Sequence, residues 1–183
     1  MRSRLAALAL LLVVTEFNRN PVAFASPPHE SPRAAVWRQS TEEELKAVIP
    51  ARAPVISERI ETELRTASGI TDNKGHIVAG VLLITAGYSA NGKYSYFLLS
   101  QTSIKIADKV LAAGNYLIGW TRSENELFVT VSDATTGKPV AEVTATRNPE
   151  IKRVESFHIS PPSGFSAIQL GRFSFPYSFP EKN

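Results

Sequence analysis

The stretch LAAGNYLIGWTR, residues 111–122, decides the fold, because a strand grows out of a turn there. Gly114 permits a tight bend and Asn115 tolerates a left-handed backbone. Beyond them Tyr116, Ile118 and Trp120 fall on one face of an extended chain, and Leu117, Gly119 and Thr121 on the other. The next arm, LFVTVSD (127–133), answers with Leu127, Val129 and Val131 on one face and Phe128, Thr130 and Ser132 on the other. Apolar bulk at a period of two predicts half-buried strands, with Tyr116, Ile118 and Trp120 in the core. The competing expectation is that these aromatics form a platform for a ligand.

Outward from this pair, turn signals recur at short intervals: Asp72-Asn73-Lys74-Gly75, Asn91-Gly92, Ser123-Glu124-Asn125, Thr136-Gly137-Lys138, Asn148-Pro149 and Pro161 to Gly164. Such a rhythm predicts an all-β fold, an antiparallel β-sandwich over about residues 55–179. Asn91-Gly92 is the strongest hairpin signal, since both residues tolerate the positive φ of a two-residue turn, and YSYFLLS is its second arm. The first arm, HIVAGVLLITA (76–86), is apolar on both alternating faces, the mark of a central strand covered on both sides. One cover is the opposing sheet; the other is an N-terminal helix or a second copy of the chain.

That helix is written in TEEELKAVIP (41–50). Thr41 and Glu44 fit a capping box, acids fill the first turn, and Pro50 stops the helix, giving one short element near 42–49. SERIETELRTASG (57–69) fits both periods: Ile56, Ile60 and Leu64 are four apart, whereas Ile60, Thr62, Leu64 and Thr66 alternate. The turn and strand that follow favour a strand.

The start of the chain has another character. Arg2 and Arg4 precede the apolar run LAALALLLVV, and Ala23-Phe24-Ala25 offers small residues before Ser26, so residues 1–25 read as a secretory signal peptide. Ten apolar residues are about half of the ~20 a membrane-spanning helix needs, so no transmembrane span is expected after its removal. Residues 26–40, with three prolines, read as a flexible leader, and 41–183 as a single domain. The expected location is periplasmic or extracellular. Export invites disulfides, yet the chain has no cysteine, so the core alone must hold the fold. Loss of Arg2, Arg4, Arg19 and Glu16 with the signal takes the net charge from +3 to +1. With basic residues scattered singly, nucleic acid is not an expected partner.

IKIADKVLAAGNYLIGW (104–120) resembles secreted bacterial β-sandwich domains that carry a K-x-L-x-A-G-x-Y turn, here Lys109, Leu111, Ala113, Gly114 and Tyr116. Upstream, GITDNKGHIVAGV (69–81) is more distantly similar to the opening of carboxypeptidase-regulatory-like modules. The resemblance implies a non-catalytic β-sandwich and carries no functional residues with it.

Motifs for chemistry are near misses, and no catalytic, cofactor-binding or metal-binding residue is assigned. GYSAN (87–91) begins like a nucleophile elbow around Ser89, but Asn91 stands where the closing Gly belongs and a turn follows in place of a helix. A zinc site would need His76 and His158 to meet and recruit Asp72, Asp133 or Glu155, while His29 lies in the leader. Asp72 to Gly75 lacks the remaining oxygens of a calcium loop, and Gly114 to Gly119 lacks the Lys and helix of a phosphate loop. Glu61 and Glu63 share a face that reads as solvated. The C-terminal FSAIQLGRFSFPYSF places Phe173, Phe175, Tyr177 and Phe179 on one side, as a last edge strand closing the core or as a surface for a partner; Pro176 and Pro180 argue against a membrane barrel. The expectation is a non-catalytic binding or structural module of the cell envelope, meeting a protein or envelope component, or another copy, through edge strands or the aromatic C-terminal segment. The alternative is a small hydrolase with a spatially assembled His/carboxylate site.

Overall fold

The computed structural model describes residues 36–85, 94–149, 151–162 and 166–180. The expected signal peptide, the expected leader up to residue 35, Ser89 and the expected hairpin turn at Asn91-Gly92 lie outside them. In chain order the elements are β1 (Trp37–Gln39), α1 (Glu42–Val48), β2 (Arg52–Val55), β3 (Glu58–Asp72), β4 (Ile77–Leu83), β5 (Tyr96–Ser100), β6 (Ile104–Ile106), β7 (Lys109–Leu111), β8 (Gly114–Arg122), β9 (Glu126–Asp133), β10 (Pro139–Arg147), β11 (Glu155–Ile159), β12 (Ala167–Gly171) and β13 (Phe173–Ser178). The strand β1 falls within the segment read as leader, where Trp37, Arg38 and Gln39 pair with Asp72, Thr71 and Ile70.

All strands pair antiparallel in one path, β1-β3-β4-β5-β8-β9-β10-β13-β12-β11, with β2 added to β3 and the β6–β7 hairpin added to β13. This 13-stranded sheet curls into a half-barrel. The division into two sheets expected of a sandwich is not shown; the curl instead brings the far strand β11 against β3 and β4. There the Phe157 ring lies on Gly80, where an added Cβ would stand 2.2 Å from the ring.

The concave side holds one core, including Ile70, Val78, Leu98, Ile118, Val129, Val131, Phe157 and Phe175. As expected, Tyr116 and Ile118 are buried in it and Trp120 packs against it. A second core lies on the convex side, where α1 and β2 cover Ile77, Ala79, Val81, Leu83, Phe97 and Leu117. HIVAGVLLITA is therefore apolar on both faces because Val78 points to one core and Ile77, Ala79 and Val81 to the other. A seven-residue helix has little stability alone. Packing holds it: Leu45 presses on Gly69, where a Cβ would meet Leu45 Cδ2 at 2.7 Å. Its start is the expected capping box, with Thr41 Oγ1 accepting from Glu44 N and Glu44 accepting from Thr41 N.

The left-handed residue near the opening stretch is not where the sequence places it. Gly114 and Asn115 have negative φ, and the positive φ falls on Ala107 (53°), first residue of the two-residue turn between β6 and β7. The register fixes this, because Ser100 pairs with Gly114 and so makes Gly114 the first residue of β8. A second non-glycine exception is Ile56 (58°), in the β2–β3 turn, where Ala134 O takes its N–H and its side chain lies over Gly137. The Asp72 to Gly75 turn forms as expected, with Asp72 Oδ1 accepting from Lys74 N and His76 N and Gly75 at φ 84°.

The last strand is interior, not an edge. β13 pairs with β12 on one side; on the other its first residues pair with β10 and Tyr177 and Ser178 with β6. Pro176 sits where β13 passes from one partner to the other, so on that side its missing N–H breaks no ladder bond. Phe175 and Tyr177 are buried, and Phe179 stacks on Trp37 at 4.2 Å between centroids, joining the two ends of the described chain.

Candidate functional site

The groups that could carry acid-base chemistry are separated. His76 Nδ1 lies 2.8 Å from Asp72 Oδ2 at the β3–β4 turn. Burial opposes ionisation of Asp72, but hydrogen bonds from His76 Nδ1 and the His76 and Lys74 amides outweigh it and hold the carboxyl below its ordinary pKa. His158, on β11, meets other partners: Glu155 Oε2 at 3.0 Å and Ser68 Oγ at 3.3 Å. Asp133 has its own task in the β9–β10 turn, where Oδ1 accepts from Thr135 N, Thr136 N and Thr136 Oγ1. Glu63 is held by Arg65, whose hydrogen bonds bring its pKa down to about 2, and Glu61 is exposed. Thus the structure leaves His76 and His158 apart, and among the described residues no three His, Asp or Glu side chains group as metal ligands.

Ser68, His158 and Glu155 are the nearest approach to a catalytic triad, and sequence reasoning did not find it, since Ser68 and His158 are 90 residues apart. The geometry is wrong for a relay. A relay sets the serine on one ring nitrogen and the acid on the other; here Nδ1 faces both. Ser68 is also only 5% exposed, and its oxygen accepts from Gln39 Nε2 and from Ile159 N. Its work is to tie β1, β3 and β11 together.

A different surface lies on the convex face beyond the cover of α1 and β2. Alternation that sends Ile118, Val129 and Val131 inward turns Thr121, Phe128 and Thr130 outward. Register then sets Thr121, Phe128 and Thr144 side by side across β8, β9 and β10, with Gly119, Thr130 and Glu142 as the next row. These rows line a trough of about 450 Å³, bounded by Thr121, Phe128, Thr130, Glu142 and Thr144 with Val129 and Val143. Phe128 is 52% exposed and is the one exposed aromatic among the described residues. The sequence signal for the trough was Phe128, Thr130 and Ser132 on one face; its threonine partners come from strands whose register no single stretch discloses.

No helix among the described residues is long and apolar enough to cross a membrane. Comparison of the chain with protein-family models, curated proteins and solved structures finds no match.

Proposed function

We propose that the chain is an exported, non-catalytic module of the cell envelope, its curled sheet packed as a sandwich, that binds an envelope component on an exposed face. The observation that carries this reading is the contrast between two sets of residues. The histidines and acids singled out in the sequence are occupied in turns and strand contacts, whereas the threonine and phenylalanine rows of β8–β10 stand outward around a trough. The aromatic C-terminal segment is a poorer docking surface, because Phe175 and Tyr177 are inside the core.

The hydrolase alternative rests on the Ser68, His158 and Glu155 contact, and it requires Ser68 to be reachable and the ring to use both nitrogens. The test is affinity capture on the immobilised full chain from an envelope extract, run beside esterase, peptidase and glycosidase assays. Saturable retention of an envelope component with no turnover supports the module. Turnover abolished by His158→Gln supports the hydrolase and overturns the module.

A further inference from the structure

We infer that the trough on the convex face of β8–β10 is a binding site for a neutral glycan, with Phe128 as the stacking plate for a sugar ring. The inference rests on the reading of the chain as an envelope-binding module and names the ligand of its exposed face.

The geometry restricts what could bind. β9, which carries Phe128 and Thr130, is laddered to β8 on one side and to β10 on the other along its length, so a peptide cannot add a strand beside Phe128, and a ligand there must lie on the face. The lining has no Lys, Arg or His and does have Glu142, which disfavours phosphate, nucleic acid and other anions. One carboxylate among threonines is too little charge to select a polybasic partner. What remains is a ligand that is uncharged, rich in hydroxyls and flat on one side.

The lining suits such a ligand atom by atom. A threonine hydroxyl both donates and accepts, and the Glu142 carboxylate accepts from two hydroxyls, which is the bonding a sugar ring offers around its rim. The C–H face of the ring is apolar and fits the face of Phe128, which lies between Thr121 and Thr144 in the same row. The volume of about 450 Å³ falls within the roughly 300–1,000 Å³ usual for small-ligand sites. Phe128 thereby has a reason for its exposure, which its partners in the fold do not supply.

The experiment is affinity electrophoresis of the full chain through gels containing hydroxyethylcellulose or glycol chitin, with titration of the tetrasaccharides of glucose and N-acetylglucosamine followed by tryptophan fluorescence and calorimetry. Retardation by at least one polymer is expected. Phe128→Ala should weaken it by about tenfold or more with the melting midpoint unchanged. Phe128→Tyr should retain it, and Glu142→Gln should weaken it less than Phe128→Ala does. Migration unaffected by both polymers, or retardation equal in the wild type and Phe128→Ala, overturns the site. An envelope protein captured equally by wild type and Phe128→Ala, with no retardation, overturns the glycan site and leaves the module reading standing. Release of reducing ends from a polymer that retards the chain supports the site and overturns the non-catalytic reading.

Discussion

Single atoms decide several positions in this chain. Gly80 exists as glycine because the Phe157 ring occupies the place of its side chain. Gly80→Ala should therefore destabilise by at least about 1–3 kcal/mol through overpacking, measured by urea unfolding, and Phe157→Leu in the same chain should return part of the loss. Gly114 is the contrary case. The sequence marks it as a left-handed turn residue, yet its φ is negative and an added Cβ would meet Tyr116 Oη at an ordinary 3.4 Å. Gly114→Val should then cost little, whereas Gly137→Val should cost more, since Gly137 has φ 67° and lies under Ile56. Trp120 is partly buried against the concave core, so Trp120→Ala should lower the melting midpoint by the equivalent of about 3 kcal/mol. An unshifted midpoint would restore the platform reading.

At the level of elements, α1 was legible because its determinants are local: Thr41 and Glu44 cap each other within one turn. Thr41→Ala should cost about 1 kcal/mol. Glu44 also receives Arg38, whose hydrogen bonds with that of Thr41 N bring the carboxyl to about pKa 2. Glu44, Glu63 and Asp72 are all held below their ordinary values, so the unfolded chain binds more protons than the folded one between the ordinary carboxylate range and about pH 2. Stability is thus full above that range and falls as pH drops through it; Glu44→Gln should make the acid limb of a melting-midpoint profile shallower. β4 was legible too, as its two-sided apolar run demands two covers, whereas the start of β3 fitted both periods and was favoured as a strand only by the turn and strand after it. The β6–β7 turn was not, because Ala107 carries no signature of positive φ and acquires it from the pairing of Ile106 with Lys109. Likewise the trough depends on Thr121, Phe128 and Thr144 meeting across three strands, and register is set by the whole sheet.

For the molecule as a whole, the order of strands makes the C terminus a structural keystone: β13 lies between β10 and β12 and also receives β6. A chain ending at Gly171 should fail to fold, seen as loss of amide dispersion in NMR. The complete chain should refold on the millisecond-to-second scale of sheets built from distant pairings. A half-barrel also differs from a closed barrel in having ends. One end, β1, is three residues long, and the other, β11, is bent by a register shift between Glu155 and His158 and pinned where Ser68 Oγ takes the Ile159 N–H. Both are poor templates for a further strand. The hydrogen bond that caps this edge, added to the burial of Phe157 and Ile159, comes from a single hydroxyl. Ser68→Ala would leave the Ile159 amide at this edge without its partner while Phe157 and Ile159 stay in the core, so that this variant, soluble and folded when dilute, should form thioflavin-positive fibres on concentration sooner than the wild type does. Ser68, the residue that looks most like a nucleophile, would then be a guard on an open edge of the sheet.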